Sequence, residues 1–203
     1  MARVTRIPFT LCFLVIMVLA NMGAGTWSGV LADAALSDWG LSHLSVRQGE
    51  VFRLLSATFL SHDLGMLLRQ LVFAAAVIGA YEWTEGTKRA MLVFLSIDLA
   101  GTLIVLFGIL PLFVRLHPSM DASALAVYDV GMSAGGFGLI GAFVARLRHR
   151  WLYLVVICLA LSVKVSIAFD AIADSVHILC LFMGFVLQRA LNSRRRNPDI
   201  APF

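Results

Sequence analysis

The stretch 128–151, YDVGMSAGGFGLIGAFVARLRHRW, carries five glycines and a single serine in an apolar run that ends on three arginines. Small residues at this density suit a membrane helix that packs closely on others, because they let two backbones approach. Ser133 near the start of the run has two readings: a packing residue bonded to its own backbone, or a nucleophile.

Composition extends the membrane reading to the whole chain. Of its 203 residues, 60% are hydrophobic and 14% charged, with a mean hydropathy of +0.90. Soluble domains average about 25% charged residues. Crossing a hydrocarbon core takes roughly 20 helical residues, and candidate spans lie at 8–28, 63–81, 90–112, 129–146, 151–169 and 172–190. Helix is the expected state because lipid offers no partner for free backbone groups. The expectation is one all-α, polytopic membrane domain over 1–203 with six transmembrane helices, an external loop at 29–62 and a tail at 191–203.

Eleven of the 16 Lys and Arg fall on one side of these spans, at Arg3, Arg6, Lys88, Arg89, Arg146, Arg148, Arg150, Arg189 and Arg194–Arg196. The bias of basic loops sets orientation, so both termini are expected in the cytoplasm of a multi-pass protein of the plasma (inner) membrane. The net charge of +4 is explained by these helix-end clusters beside lipid head groups, and nucleic acid is not an expected partner. The cysteines, Cys12, Cys158 and Cys180, sit in apolar spans without paired spacing, so neither a disulfide nor a metal site is expected. The loop 29–62 is too polar to span, yet carries Trp39, Leu44, Phe52, Leu55 and Phe59. It either rests on the bilayer interface or packs as a structured loop on the helices.

Topology brings two polar residues to one depth. Ser133 lies four residues into the fourth span, about 6 Å, and His177 three residues into the sixth, about 4.5 Å, from the same external side. Polar residues inside spans are costly and face the bundle interior. A serine becomes a nucleophile when a base stands within hydrogen-bond reach. Gly131, Gly135, Gly138 and Ala142 on one helix, and Cys180 and Gly184 below His177 on the other, permit that approach. Ser133 also sits in the first turn of its helix, where unpaired N–H groups can stabilise an oxyanion. Among the remaining charges, Arg69 and Asp98 are expected to pair across the second and third spans, Lys164 to reach outward or pair with Asp170, and Asp129 to cap the fourth helix. Asp174, one turn before His177, is placed to bias its charge and is expected as a solvated acid at the helix start rather than a third catalytic member.

These residues resemble the rhomboid family of intramembrane serine proteases, over about residues 50–187. GEVFRLLSATFLSH (49–62) is similar to the family's tryptophan-arginine segment, with Phe52 in place of Trp before Arg53. Glu82 to Gly86 resembles its Glu-x-x-x-Gly turn. GMSAGGFGLIGA (131–142) resembles Gly-x-Ser-Gly-x-x-x-Gly, and HILCLFMG (177–184) resembles His-x-x-Gly-x-x-x-Gly. The chain departs from the pattern in the second helix, where Ser61, Met66 and Gln70 stand for His, His and Asn, and at Ala134 and Cys180, which replace glycines.

The resemblance implies a six-helix rhomboid-like bundle with Ser133 as nucleophile, His177 as base, Gly131 beside them and Gln70 in the place of the oxyanion-binding Asn. It implies no cofactor and no metal, and membrane proteins with a transmembrane helix as substrates within the lipid bilayer. The altered second helix motivates a runner-up, a non-proteolytic relative that binds membrane helices or lipids as an adaptor or chaperone. A transporter or lipid-handling protein using Arg69 and Asp98 is the third reading.

Overall fold

The computed structural model describes residues 6–117 and 121–196, with side chains as far as 193. Among these residues the regular structure is all helical, with no strand and only two isolated bridges, Val30 to Asp63 and Leu41 to Asp129. The apolar helices are α1 (Pro8–Gly23), α5 (Leu64–Glu85), α6 (Thr87–Ile104), α8 (Ser133–Val144), α9 (Arg150–Ile167) and α10 (Ala173–Arg196). A π-turn, Val105–Ile109, joins α6 to α7 (Leu110–Leu116). Four of these are long and apolar enough to cross a membrane: Leu64–Glu85, Thr87–Leu116, Arg150–Ile167 and Ala173–Ser193.

Two expected spans are shorter than their apolar sequence. The first helix ends at Gly23, because Gly25 turns left-handed at φ 81° and a 3-10 turn follows. The fourth does not begin at 129: residues 129–132 descend as extended or irregular backbone, and α8 has only 12 residues, about 18 Å. The tail expected from 191 is still helix to Arg196; Arg3 and residues 197–203 lie outside the described residues.

That short α8 is the axis of the bundle. A Cβ on Gly135 would press on the Phe94 ring, one on Gly138 on Ile97, and one on Gly136 on Phe73, so α6 and α5 both pack against bare backbone. On the remaining side, a Cβ on Gly184 would strike the Gly138 carbonyl oxygen, and one on Gly141 the Leu181 carbonyl oxygen. The expected small-residue seam between the fourth and sixth spans is therefore real, and α8 and α10 meet backbone to backbone. Phe13, Leu67, Phe94, Ile97, Leu139 and Cys180 fill the core around it. By contrast α9 buries only Leu154 and lies at the edge.

The loop 29–62 takes the structured alternative. It forms α2 (Asp33–Trp39), α3 (His43–Arg47) and α4 (Arg53–Ser56), and Leu31, Leu41, Ala57 and Leu60 pack with Leu106, Leu110 and Val130. Arg53 pins it: the buried guanidinium donates to the carbonyl oxygens of Ser37 and Gly40, pairs with Glu50 at 2.9 Å and lies over the Tyr128 ring. His43 Nδ1 lies 2.8 Å from the Leu106 carbonyl oxygen within the π-turn, where the widened helix leaves a carbonyl short of a partner. Trp39, Phe52 and Leu55 stay about half exposed on the outer face, as suits side chains at a lipid interface.

Glu82 ties the opposite end together. Its carboxylate accepts from the Phe9 and Thr10 N–H groups at 2.9 and 2.8 Å, and from the Thr10 and Thr87 hydroxyls at 2.7 Å each. An acid at a helix start satisfies orphan N–H groups and complements the dipole, so the Glu82–Gly86 turn caps α1.

Candidate functional site around Ser133

Gly131 sets the entrance to α8. Its φ of 134° lies in the region that favours glycine, and its N–H donates to the Ala57 carbonyl at 2.8 Å. The chain then turns through Met132 so that Ser133 is the first helical residue. Among the described residues no acceptor meets the Ser133 or Ala134 N–H groups, while the third N–H of the helix, on Gly135, donates to Asp98 Oδ1 at 2.8 Å.

Asp98 corrects one expectation. It makes no ion pair with Arg69; its other oxygen accepts from the Thr58 hydroxyl at 2.9 Å, and the side chain is 4% exposed. Arg69 instead points out of the bundle, with its guanidinium beside Gly65. Adjacent helical residues lie about 100° apart, and the rotation of α5 that buries Gln70 turns Arg69 outward. Asp98 therefore serves α8, as a carboxyl group at the helix's positive end.

Gln70 faces the entrance to α8. The side chain is 7% exposed, and its Nε2 lies beside Gly131, 2.6 Å from where a Cβ would sit. Its Oε1 accepts from the Ser61 hydroxyl at 2.8 Å. The Ser61 N–H donates to Asn21 Oδ1 at 2.9 Å, and the Asn21 amide donates to the Met17 and Phe59 carbonyls. The chain Asn21–Ser61–Gln70 fixes which end of the Gln70 amide faces Gly131, and that end is the donor. Met66 fills the space between, its methyl 3.1 Å from the same Cβ position. Ser61, Met66 and Gln70 thus gather at one place, beside Gly131.

His177 and Ser133 are brought to neighbouring turns but not into a hydrogen bond. The imidazole stacks on Phe137, with ring centres 4.3 Å apart and planes at 22°. Phe137 is one turn beyond Ser133 on the same face of α8, so the stack docks the imidazole on the helix that Ser133 begins. His177 Nε2 is buried with no hydrogen-bond partner. Ser133 itself lines a cavity of about 30 Å³ with Thr58, Asp98 and Asp129, a volume that suits one or two waters.

The acidic residues around α10 also differ from expectation. Lys164 pairs with Asp174 at 2.5 Å, not with Asp170, and Asp174 Oδ2 accepts from the Asp170 N–H at 2.8 Å. Asp174 is thereby consumed in tying α9 to the start of α10. Asp129 does not cap α8: its Oδ1 accepts from the Val130 N–H at 2.9 Å, and its backbone pairs with Leu41.

His62, one residue ahead of Ser61, faces Asp129 with Nε2 3.9 Å from Oδ1. Interaction with that carboxylate raises the His62 pKa above its ordinary 6.5, against a smaller lowering by burial, and Asp63 and Asp170 add to the rise. A raised histidine stabilises the fold fully below its unfolded pKa and loses that contribution as pH rises through the folded value. Thermal unfolding in detergent should therefore show a stability component that is present below pH 6.5 and fades above it. His62→Gln should remove that component.

Phe137, Asn21 and Thr58 are the members that sequence reasoning missed. Phe137 is signalled by its position four residues after Ser133; Asn21 and Thr58 become partners only through the packing of α1 and of the 3-10 turn Ala57–Phe59 on the bundle. No protein-family model matches the chain, and no curated protein matches it.

Proposed function

We propose that the chain is an intramembrane serine endopeptidase that cuts transmembrane segments of other membrane proteins, a multi-pass, six-helix rhomboid-like protein of the plasma (inner) membrane with cytoplasmic termini. The observation that supports the reading is the start of α8 at Ser133 with its first N–H groups free, beside Gly131 and the donor end of Gln70, on a helix whose Phe137 stacks on His177, an imidazole with a buried, unpartnered Nε2. Ser133 Oγ attacks the peptide carbonyl carbon and passes its proton to His177. The imidazolium protonates the leaving amine, and water then resolves the acyl-enzyme. The Ser133 N–H and the Gln70 amide hold the oxyanion. Catalytic hydrogen bonds are often long in free enzymes and tighten with substrate, so a His177 stacked on α8 with its Nε2 unpartnered is compatible with the dyad.

The direct test is labelling of the detergent-solubilised protein with a fluorophosphonate. Labelling that requires both Ser133 and His177 supports the dyad; no labelling of the folded protein sinks it. Gln70→Leu, which keeps the volume and removes the amide, should slow cleavage by about 10² to 10³, the usual loss for one oxyanion donor. An unchanged rate would remove Gln70 from the oxyanion site.

One observation favours a second reading. With no hydrogen bond between Ser133 and His177 in this structure, the same bundle suits a non-proteolytic adaptor for membrane helices. In that case Ser133→Ala leaves the biological phenotype intact, while a bulky residue at Gly135 or Gly138 destroys it.

A further inference from the structure

The opposite end of the bundle holds a second polar cavity, unconnected with Ser133. Arg150, the first residue of α9, and Arg189, on the last turns of α10, line it with Ala145, Asn192 and Ser193, and its volume is about 140 Å³. A water occupies about 30 Å³ in the liquid, so a tetrahedral anion fits.

The lining is built from donors. A guanidinium has no acceptor. Asn192 Oδ1 already accepts from Gln188 Nε2 at 2.9 Å, and Gln188 Oε1 accepts from the Tyr81 hydroxyl at 2.7 Å, so the Asn192 NH₂ is the group left over. Arg150 Nε is buried without a hydrogen-bond partner. The nearby Arg89 and Arg146 both pair with Glu85, at 2.6 and 3.1 Å. Among the described residues no carboxylate pairs with Arg150 or Arg189. Two unneutralised guanidiniums and an oriented amide around one cavity lack acceptor oxygens and negative charge, and a phosphate supplies both.

We propose that Arg150, Arg189, Asn192 and Ser193 form a binding site for a phosphate group. The group is either the phosphodiester of an anionic phospholipid or free inorganic phosphate, and basic pockets between membrane helices take such head groups.

The test uses the full chain in nanodiscs of phosphatidylcholine alone, with phosphatidylglycerol added, or with inorganic phosphate titrated into the phosphatidylcholine discs. Thermal unfolding and lipid retention in native mass spectrometry are read. Saturable stabilisation by phosphatidylglycerol, with one molecule retained, assigns the site to a lipid; stabilisation by inorganic phosphate alone assigns it to the free anion. The double variant Arg150→Gln/Arg189→Gln should weaken binding about 25-fold, roughly fivefold per arginine. Asn192→Asp, which puts negative charge into the cavity, should abolish it, and each variant must unfold normally in phosphatidylcholine discs. Arg148→Gln, exposed and outside the cavity, is the control. No response to either ligand, or equal weakening by Arg148→Gln, overturns the site.

Discussion

Replacing Ser133 by alanine should bring cleavage of a single-span substrate in liposomes down to background, a loss of about 10⁶ in rate. The size of the effect follows from the role proposed for the serine, since without its oxygen no acyl-enzyme could form and the other groups would have nothing to activate. The double variant Ser133→Ala/His177→Ala should be no slower than either single one, because residues that act as a unit are not additive. Cleavage at an unchanged rate in Ser133→Ala would end the serine mechanism. A loss in Ser133→Ala with full activity in His177→Ala would reassign the base. The alanine variant should unfold at the same temperature as the parent, since among the described residues the Ser133 hydroxyl holds no hydrogen bond that folding depends on.

The largest structural effect is expected at Gly184, where α10 touches the Gly138 backbone. Ordinary overpacking costs about 1–3 kcal/mol because a side chain can turn aside. Here a valine would meet a carbonyl oxygen and the Cα of Gly138, and backbone yields only if the two helices separate. Gly184→Val should therefore cost at least about 3 kcal/mol and abolish fluorophosphonate labelling, because the same separation carries His177 away from Ser133. Gly79→Ala is the control: the added methyl would make ordinary contact with Thr10 Cγ2 at 3.7 Å, and unfolding should shift little. Equal stability of Gly184→Val and its parent would mean that α8 and α10 are not in backbone contact.

The Gly184 prediction is one that the sequence nearly supports unaided. Glycines recurring at helical spacing on two apolar segments announce that those segments touch, whatever else they touch. The partner of Asp98 is a different matter. Its depth was compatible with Arg69, but depth is only one coordinate of a helix. The other, rotation about the axis, is decided by what the whole of α5 buries. Leu67, Gln70, Ala74 and Ile78 face inward together, and Arg69 goes outward with them fixed. Lys164 shows the same limit, since Asp170 and Asp174 are one turn apart and the bend between α9 and α10 selects Asp174.

The sequence by itself determined the helical class, the apolar segments and the close contact between the Ser133 and His177 helices. Composition, hydropathy and small-residue spacing are local properties, readable without knowing a neighbour. Only the tertiary structure decided that α8 begins at Ser133 rather than 129, that Asn21 and Ser61 turn the donor end of Gln70 toward Gly131, and that His177 stacks on Phe137 with its Nε2 unpartnered. Each of these depends on a distance and a rotation between elements far apart in the chain. A directional interaction fixes both only once the surrounding helices have packed.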